Sequence, residues 1–201
     1  MTKTSLDLLV SGAIAPLLKK NEFRKKGLDF YKTTQDLVFD VNIQKGKVQQ
    51  QAYFYINIGI YSPELDRTIG IAENGQPKEF ECHFRRRIAD LINAGQDRYM
   101  ADTTTAAQIT TDLDLAMDVL DKIRSANDLV KLMCERGGLE NYEKLVSYLA
   151  LTDNHTLLKT YIDALKKLLG DDKRWPFFEG KMNEILKSHG KEYGIFSIPF
   201  S

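Results

Sequence analysis

The residues whose chemistry is tested first are three histidines, two cysteines and a run of arginines. His83, His155 and His189 fall in different predicted elements, without the spacing by which imidazoles share a zinc ion. Cys82 and Cys134 lie far apart and form no CxxC pair, a pattern of two small buried side chains in a reducing compartment. Acids can be paired along the sequence, Asp36 with Asp40 and Asp112 with Asp114 and Asp118. Strand and helix periodicity alone brings carboxylates together on solvated faces, so these pairs carry little weight. The chain has no GxxxxGKS/T phosphate loop, no GxGxxG after a strand, no GxSxG elbow, no HExxH and no acidic calcium loop. No cofactor, metal ion or catalytic residue is therefore assigned.

What remains is a polar surface that a sheet would assemble. Leu37, Phe39, Val41 and Ile43 alternate with Val38, Asp40, Asn42 and Gln44, the period of a strand. Ala52, Phe54, Ile56, Ile58 and Ile60 then alternate with Tyr53, Tyr55, Asn57, Gly59 and Tyr61, which puts the isoleucines in the core. A strand over residues 80–88 sends His83, Arg85 and Arg87 one way and Cys82, Phe84 and Arg86 the other. With these strands as neighbours, Gln44, Tyr55, Asn57, His83, Arg85 and Arg87 project from one face and become the candidate binding residues. Tyrosine and arginine combine contact area with a polar tip, which favours them where proteins bind one another. The competing explanations are an ordinary wet face of an antiparallel sheet and a face covered by the C-terminal helices. Because Arg86 points away from Arg85 and Arg87, the arginine run makes no continuous basic stripe, and salt bridges are its expected use.

The other elements follow from helical spacing and turn residues. Ser5 caps an N-terminal helix that Pro16 kinks or restarts. Lys19, Lys20, Arg24, Lys25 and Lys26 close that helix before Gly27, complementing its negative end in preference to binding phosphate. A first strand is expected over residues 28–33, a turn at Lys45-Gly46-Lys47, a loop over 62–78 and a short fifth strand near Arg98. Thr103 to Thr105 cap a helix with Ile109, Leu113, Ala116, Met117, Leu120 and Ile123 on one stripe, and a shorter helix spans Leu129 to Met133. Gly137-Gly138 is the hinge candidate. Residues 139–170 read as an antiparallel helix pair packed through Leu145, Leu149, Leu158, Ile162 and Leu165. A last helix over about residues 176–189 and an apolar segment over 193–200 that docks on the body complete the chain.

The expected fold is α+β: an antiparallel sheet of about five strands against an N-terminal helix and the helices that follow it. Residues 1–136 form the sheet-and-helix domain, and 137–201 a helical extension packed on it. At 201 residues, 43% of them hydrophobic, the chain can bury a core. Lysine plus arginine and aspartate plus glutamate both number 28, so no net field draws the chain to nucleic acid or an anionic membrane. The N-terminal apolar stretch is broken by Ser11, Gly12 and Pro16, which argues against a signal peptide or a span and for the cytoplasm.

Five segments together resemble a known family. They are Leu17-Leu-Lys-Lys-Asn-Glu-Phe-Arg-Lys-Lys-Gly-Leu-Asp-Phe-Tyr, Val41-Asn-Ile-Gln-Lys, Tyr55-Ile-Asn-Ile-Gly-Ile, Arg87-Ile-Ala-Asp-Leu and Asp97-Arg-Tyr-Met. In that order, over about residues 5–125, they are similar to the bacterial domain-of-unknown-function family 4304. The chain departs from that pattern at Glu22, where glycine is usual, at Gly46, where serine is common, and at Tyr99-Met100, where two tryptophans are typical. The resemblance implies a small bacterial cytosolic protein of no established activity and adds weight to Gln44, Asn57 and Arg87. The function expected is that of a protein-binding module, such as an immunity or inhibitor-type partner. The alternative is an enzyme of unrecognised class using His83, Arg87 and an acid such as Asp40. Nucleic-acid binding is disfavoured by the charge balance.

Overall fold

A computed structural model describes residues 4–191, so the apolar segment expected over 193–200 lies outside the described residues. The chain divides into two compact units, Met1–Ser62 with Gly75–Ser125, and Pro63–Asn74 with Ala126–Ser201.

The first unit opens with α1 (Ser5–Leu9), a π-helical stretch (Val10–Ile14) and α2 (Ala15–Lys20). Thr4, not Ser5, is the cap: its hydroxyl accepts from the Asp7 N–H, and the Asp7 carboxylate accepts from the Thr4 N–H. Asp7 completes a capping box only with the residue three before it. Pro16 has no N–H to give Gly12, and the wide π turns sit just ahead of it, so the helix continues instead of breaking. It ends at Asn21 in a Schellman motif, in which the Phe23 N–H donates to the Leu18 carbonyl and the Glu22 N–H to that of Lys19. Glu22 takes the left-handed position there, with φ of 70°.

Six strands follow: β1 (Arg24–Lys26), β2 (Asp29–Thr33), β3 (Val38–Val48), β4 (Gln51–Tyr61), β5 (Phe84–Arg87) and β6 (Tyr99–Met100). They form an antiparallel sheet in the order β1-β2-β3-β4-β5, with β6 also against β4. Four details differ from expectation. Arg24 to Lys26 are a strand, not the end of a helix. The β3–β4 turn falls at Gln49-Gln50, both at positive φ, the geometry of a tight hairpin. Gly46 instead pairs with Tyr53 inside the sheet, where any Cβ would overlap the tyrosine ring. The fourth strand is short, because Glu79–Glu81 form a 3₁₀ turn before it and Ile88 opens α4 (Ile88–Ile92) after it. The loop expected over 62–78 carries a helix, α3 (Pro63–Arg67), which belongs to the second unit.

Phe54, Ile56, Ile58 and Ile60 are all fully buried, as the alternation requires. Phe30, Phe39, Val41, Ile43 and Phe84 share their face by register. Ile14 and Leu18, with Ile109, Leu113 and Ala116 of α5 (Ala106–Leu120), are equally buried. The Tyr99 hydroxyl donates to Asp112 at 2.8 Å, tying β6 to α5.

In the second unit, α6 (Ala126–Arg136) is followed by α7 (Tyr142–Leu151), α8 (His155–Leu169) and α9 (Trp175–Ser188). The side chain of Asn154 accepts from the Leu157 N–H and caps α8 after a short turn, so α8 runs back along α7 as an αα-hairpin. In α7 every residue from Leu145 to Ala150 is buried, which makes it the central helix of this unit. Lys144 reaches Asp66 of α3 at 2.5 Å, and the Tyr161 hydroxyl donates to the Gly138 carbonyl at 2.8 Å. The buried stripe of α8 is Leu158, Tyr161 and Leu165, with Ile162 only half buried. Among the described residues no helix is long and apolar enough to cross a membrane.

Candidate functional site

The face opposite the isoleucines is built by register. Asn57 lies across from Asn42 on one side and Arg87 on the other, and Tyr55 lies across from Gln44. Asn57 is nearly buried, and its amide donates at 3.2 Å to both the Asn42 and the Gln44 side-chain oxygens. Asn42 in turn donates to Asp29 at 2.6 Å. A polar chain thus crosses β2, β3 and β4, in which the amides of Asn42 and Asn57 each donate to a neighbouring side-chain oxygen and so orient one another.

Beside this chain stands an aromatic and guanidinium platform. The Arg87 guanidinium lies 3.5 Å from the Tyr55 ring centroid and bonds Asp97 at 2.5 Å. Tyr55 meets Tyr53 edge to face at 5.4 Å, and the Arg98 guanidinium stands 4.9 Å from the Tyr53 centroid. Arg87 first, then Arg98, pulls the Tyr55 phenol below its ordinary pKa. Gly46 leaves the space that the Tyr53 ring occupies. Two guanidinium groups and two phenols on a half-exposed surface are suited to carboxylates and to flat side chains.

Gln44, Tyr55, Asn57 and Arg87 are thus brought together; Arg85 shares their face by register but is turned to Glu79, and His83 is buried apart from them. His83 is buried, stacked on Tyr61 with centroids 4.7 Å apart, and its Nδ1 accepts from the Ser62 N–H at 3.1 Å. Three residues lie between it and Arg87, and His83 itself sits in the bend ahead of β5. Arg85 forks onto Glu79 at 3.1 and 3.4 Å, holding the 3₁₀ turn against the sheet.

Under that turn lies Asp40, fully buried. Among the described residues neither of its oxygens finds a well-formed hydrogen bond, and only the Glu79 backbone gives a weak favourable contact. Burial, reinforced by Asp29 and Glu79, raises its carboxyl to about 7. Gly59 opposite makes the close cover possible, since a Cβ there would sit 2.7 Å from the Cys82 sulfur and 3.2 Å from the Glu79 Cα. Burial, then Asp40 and Glu79, raises the Cys82 thiol far above its usual range, which disfavours the thiolate form. Among the described residues no group of three or more histidine, cysteine or acidic side chains is placed to hold a metal ion.

Sequence reasoning left Arg98 and Asp97 out of the site. The available signal was the pairing of the Arg98-Tyr-Met segment with β4, which carries Arg98 beside Tyr53.

Known proteins add one match. The family model for a domain of unknown function, DUF4304, covers residues 14–126, a span that takes in the whole sheet. No curated protein and no solved structure matches the chain. With more than half of its length under that family model, and with the polar chain and the platform both inside the matched span, the chain belongs to the DUF4304 family.

Proposed function

We propose that this chain is a protein-binding module, of the kind that serves as an inhibitor or immunity partner, and that it docks through the polar face of its sheet. The observation that carries this reading is the Arg87–Tyr55 stack with Tyr53 and Arg98 beside it. Such a platform is costly to order for its own sake, because long side chains lose rotamer freedom and half-exposed cation–π pairs return little stability. It is well suited to a partner whose acidic side chain takes the donors of Arg98 while its apolar neighbours cover the tyrosine rings. Arg87 already has Asp97, so Arg98 is the cation best placed to receive a carboxylate.

The enzyme alternative needs His83, Arg87 and an acid to converge. His83 is committed to Ser62 and Tyr61, and Asp40 is sealed under the 3₁₀ turn, so the geometry favours recognition over catalysis.

Matched baits test the reading: the intact chain, Arg98→Ala and Tyr55→Ala, each used for affinity capture under identical conditions. A stoichiometric protein held by the intact chain and weakened by about 1 to 4 kcal/mol in both variants is the expected result. A partner retained equally by all three baits contradicts it.

A further inference from the structure

The basic run beside the N-terminal helix has no place in the recognition reading, and its simplest explanation covers only part of it. The helix ends at Lys20, so its negative end accounts for Lys19 and Lys20. Arg24, Lys25 and Lys26 lie beyond the Schellman turn, exposed on the edge strand β1. Arg24 and Lys26 share one side of that strand, opposite Tyr31 and Asp29, and their side chains form no ion pair or hydrogen bond among the described residues. Along this edge runs a cleft of about 600 Å³, lined by Glu22, Arg24, Lys25, Lys26, Tyr31, Lys32, Thr33 and Gln76. Its one acid, Glu22, stands 3.6 Å from Lys32.

Lysines on an edge strand commonly guard it against pairing with another chain. A guard does not require Tyr31 and Thr33 of the neighbouring strand to line the same hollow on the side of Arg24 and Lys26. Nor is the concentration a bulk property, since the whole chain carries no net charge. Asp29 stands across from Lys26, whereas Arg24 lies opposite the neutral Tyr31, so the positive charge at the Arg24 end is the less matched. The volume lies within the range of small-ligand sites, about 300–1,000 Å³.

We propose that this cleft is a binding site for a small phosphorylated molecule, with Arg24 and Lys26 as its principal phosphate contacts and Tyr31 and Thr33, on the same side of the sheet, as further donors. Tyr31 suits the role, because burial and then Asp40 raise its phenol to about 12 and keep it a donor at any working pH. The site lies on β1 and β2, away from the platform on β4, β5 and β6, and does not depend on the recognition reading.

The test uses the full chain with inorganic pyrophosphate at low ionic strength, read by calorimetric titration and by thermal melting. Saturable binding with a rise in Tm is expected. The charge-removing pair Arg24→Gln/Lys26→Gln, at two exposed side chains, should bind at least about tenfold more weakly. Without pyrophosphate it should melt close to the parent, because both side chains are exposed. The proposal is overturned by an absence of saturable binding, by equal binding to the double variant, or by an equal Tm rise with sulfate at matched ionic strength. It is also overturned if a single-stranded oligonucleotide binds more tightly than pyrophosphate, since the cleft then serves a nucleic-acid backbone.

Discussion

Asn42 and Asp40 stand two residues apart on β3 and face the same side of the sheet, yet their surroundings are opposite in kind. Around Asn42 the amides of Asn42 and Asn57 both find acceptors, and the row opens onto a half-exposed platform of tyrosine and arginine. Around Asp40 the 3₁₀ turn shuts out water, and a buried carboxyl is left without a well-formed bond. An alternating strand states only which side a residue faces. What covers that side decides whether the residue recognises a partner or burdens the fold.

The largest expected effect comes from relieving the burden. The folded-state pKa of Asp40 is raised to about 7, so the folded chain holds a proton that the unfolded chain releases near 4. The stability that Asp40 contributes is therefore complete only below the unfolded value and is lost as pH rises toward 7, at about 1.4 kcal/mol per pH unit. The neutral isostere Asp40→Asn lacks this loss. Its stability relative to the parent should rise by up to about 3 kcal/mol between about pH 5 and pH 8, read from urea unfolding at both values. A constant difference across that range would mean that Asp40 is hydrated or paired in the folded chain.

Next in size is Asn57→Ala, which removes the shared donor of the satisfied row. It should cost about 1 to 3 kcal/mol by stranding the Asn42 and Gln44 oxygens, with little dependence on pH. A pH-dependent loss instead would show that the two patches are electrically one.

The smallest effect sharpens the frame that holds both patches. Glu22→Gly at the left-handed helix end should add about 1 kcal/mol, because glycine carries no Cβ penalty there. Loss of the exposed Glu22–Lys32 pair should offset little of this gain.

Much of this was legible in the letters. The period of two from Leu37 to Gln44 and from Ala52 to Tyr61 gave the two central strands, their buried side and the shared side of Gln44, Tyr55 and Asn57, and the strand expected over residues 80–88 added Arg87 to it. Turn chemistry was the weaker guide. Gly46 has the composition of a turn, but its lack of a Cβ serves the Tyr53 ring, and two glutamines make the hairpin instead. Arg24 to Lys26 read as a helix end because charge complements a dipole whether the backbone is coiled or extended. The covers were not legible, since the 3₁₀ turn over Asp40 depends on Gly59, Cys82 and Glu79 meeting from separate segments. For the same reason no local pattern marked the excursion Pro63–Asn74 as part of the helical unit. On α8 the spacing found the stripe but counted Ile162, which is only half buried, among its packed residues.

The most direct measurement is amide and side-chain NMR mapping of the chain with a captured partner added. Perturbations should concentrate on Gln44, Tyr53, Tyr55, Asn57, Arg87 and Arg98, and leave Asp40 and His83 nearly unchanged. Perturbations confined to α6 through α9, with the sheet face silent, would contradict recognition through the polar row.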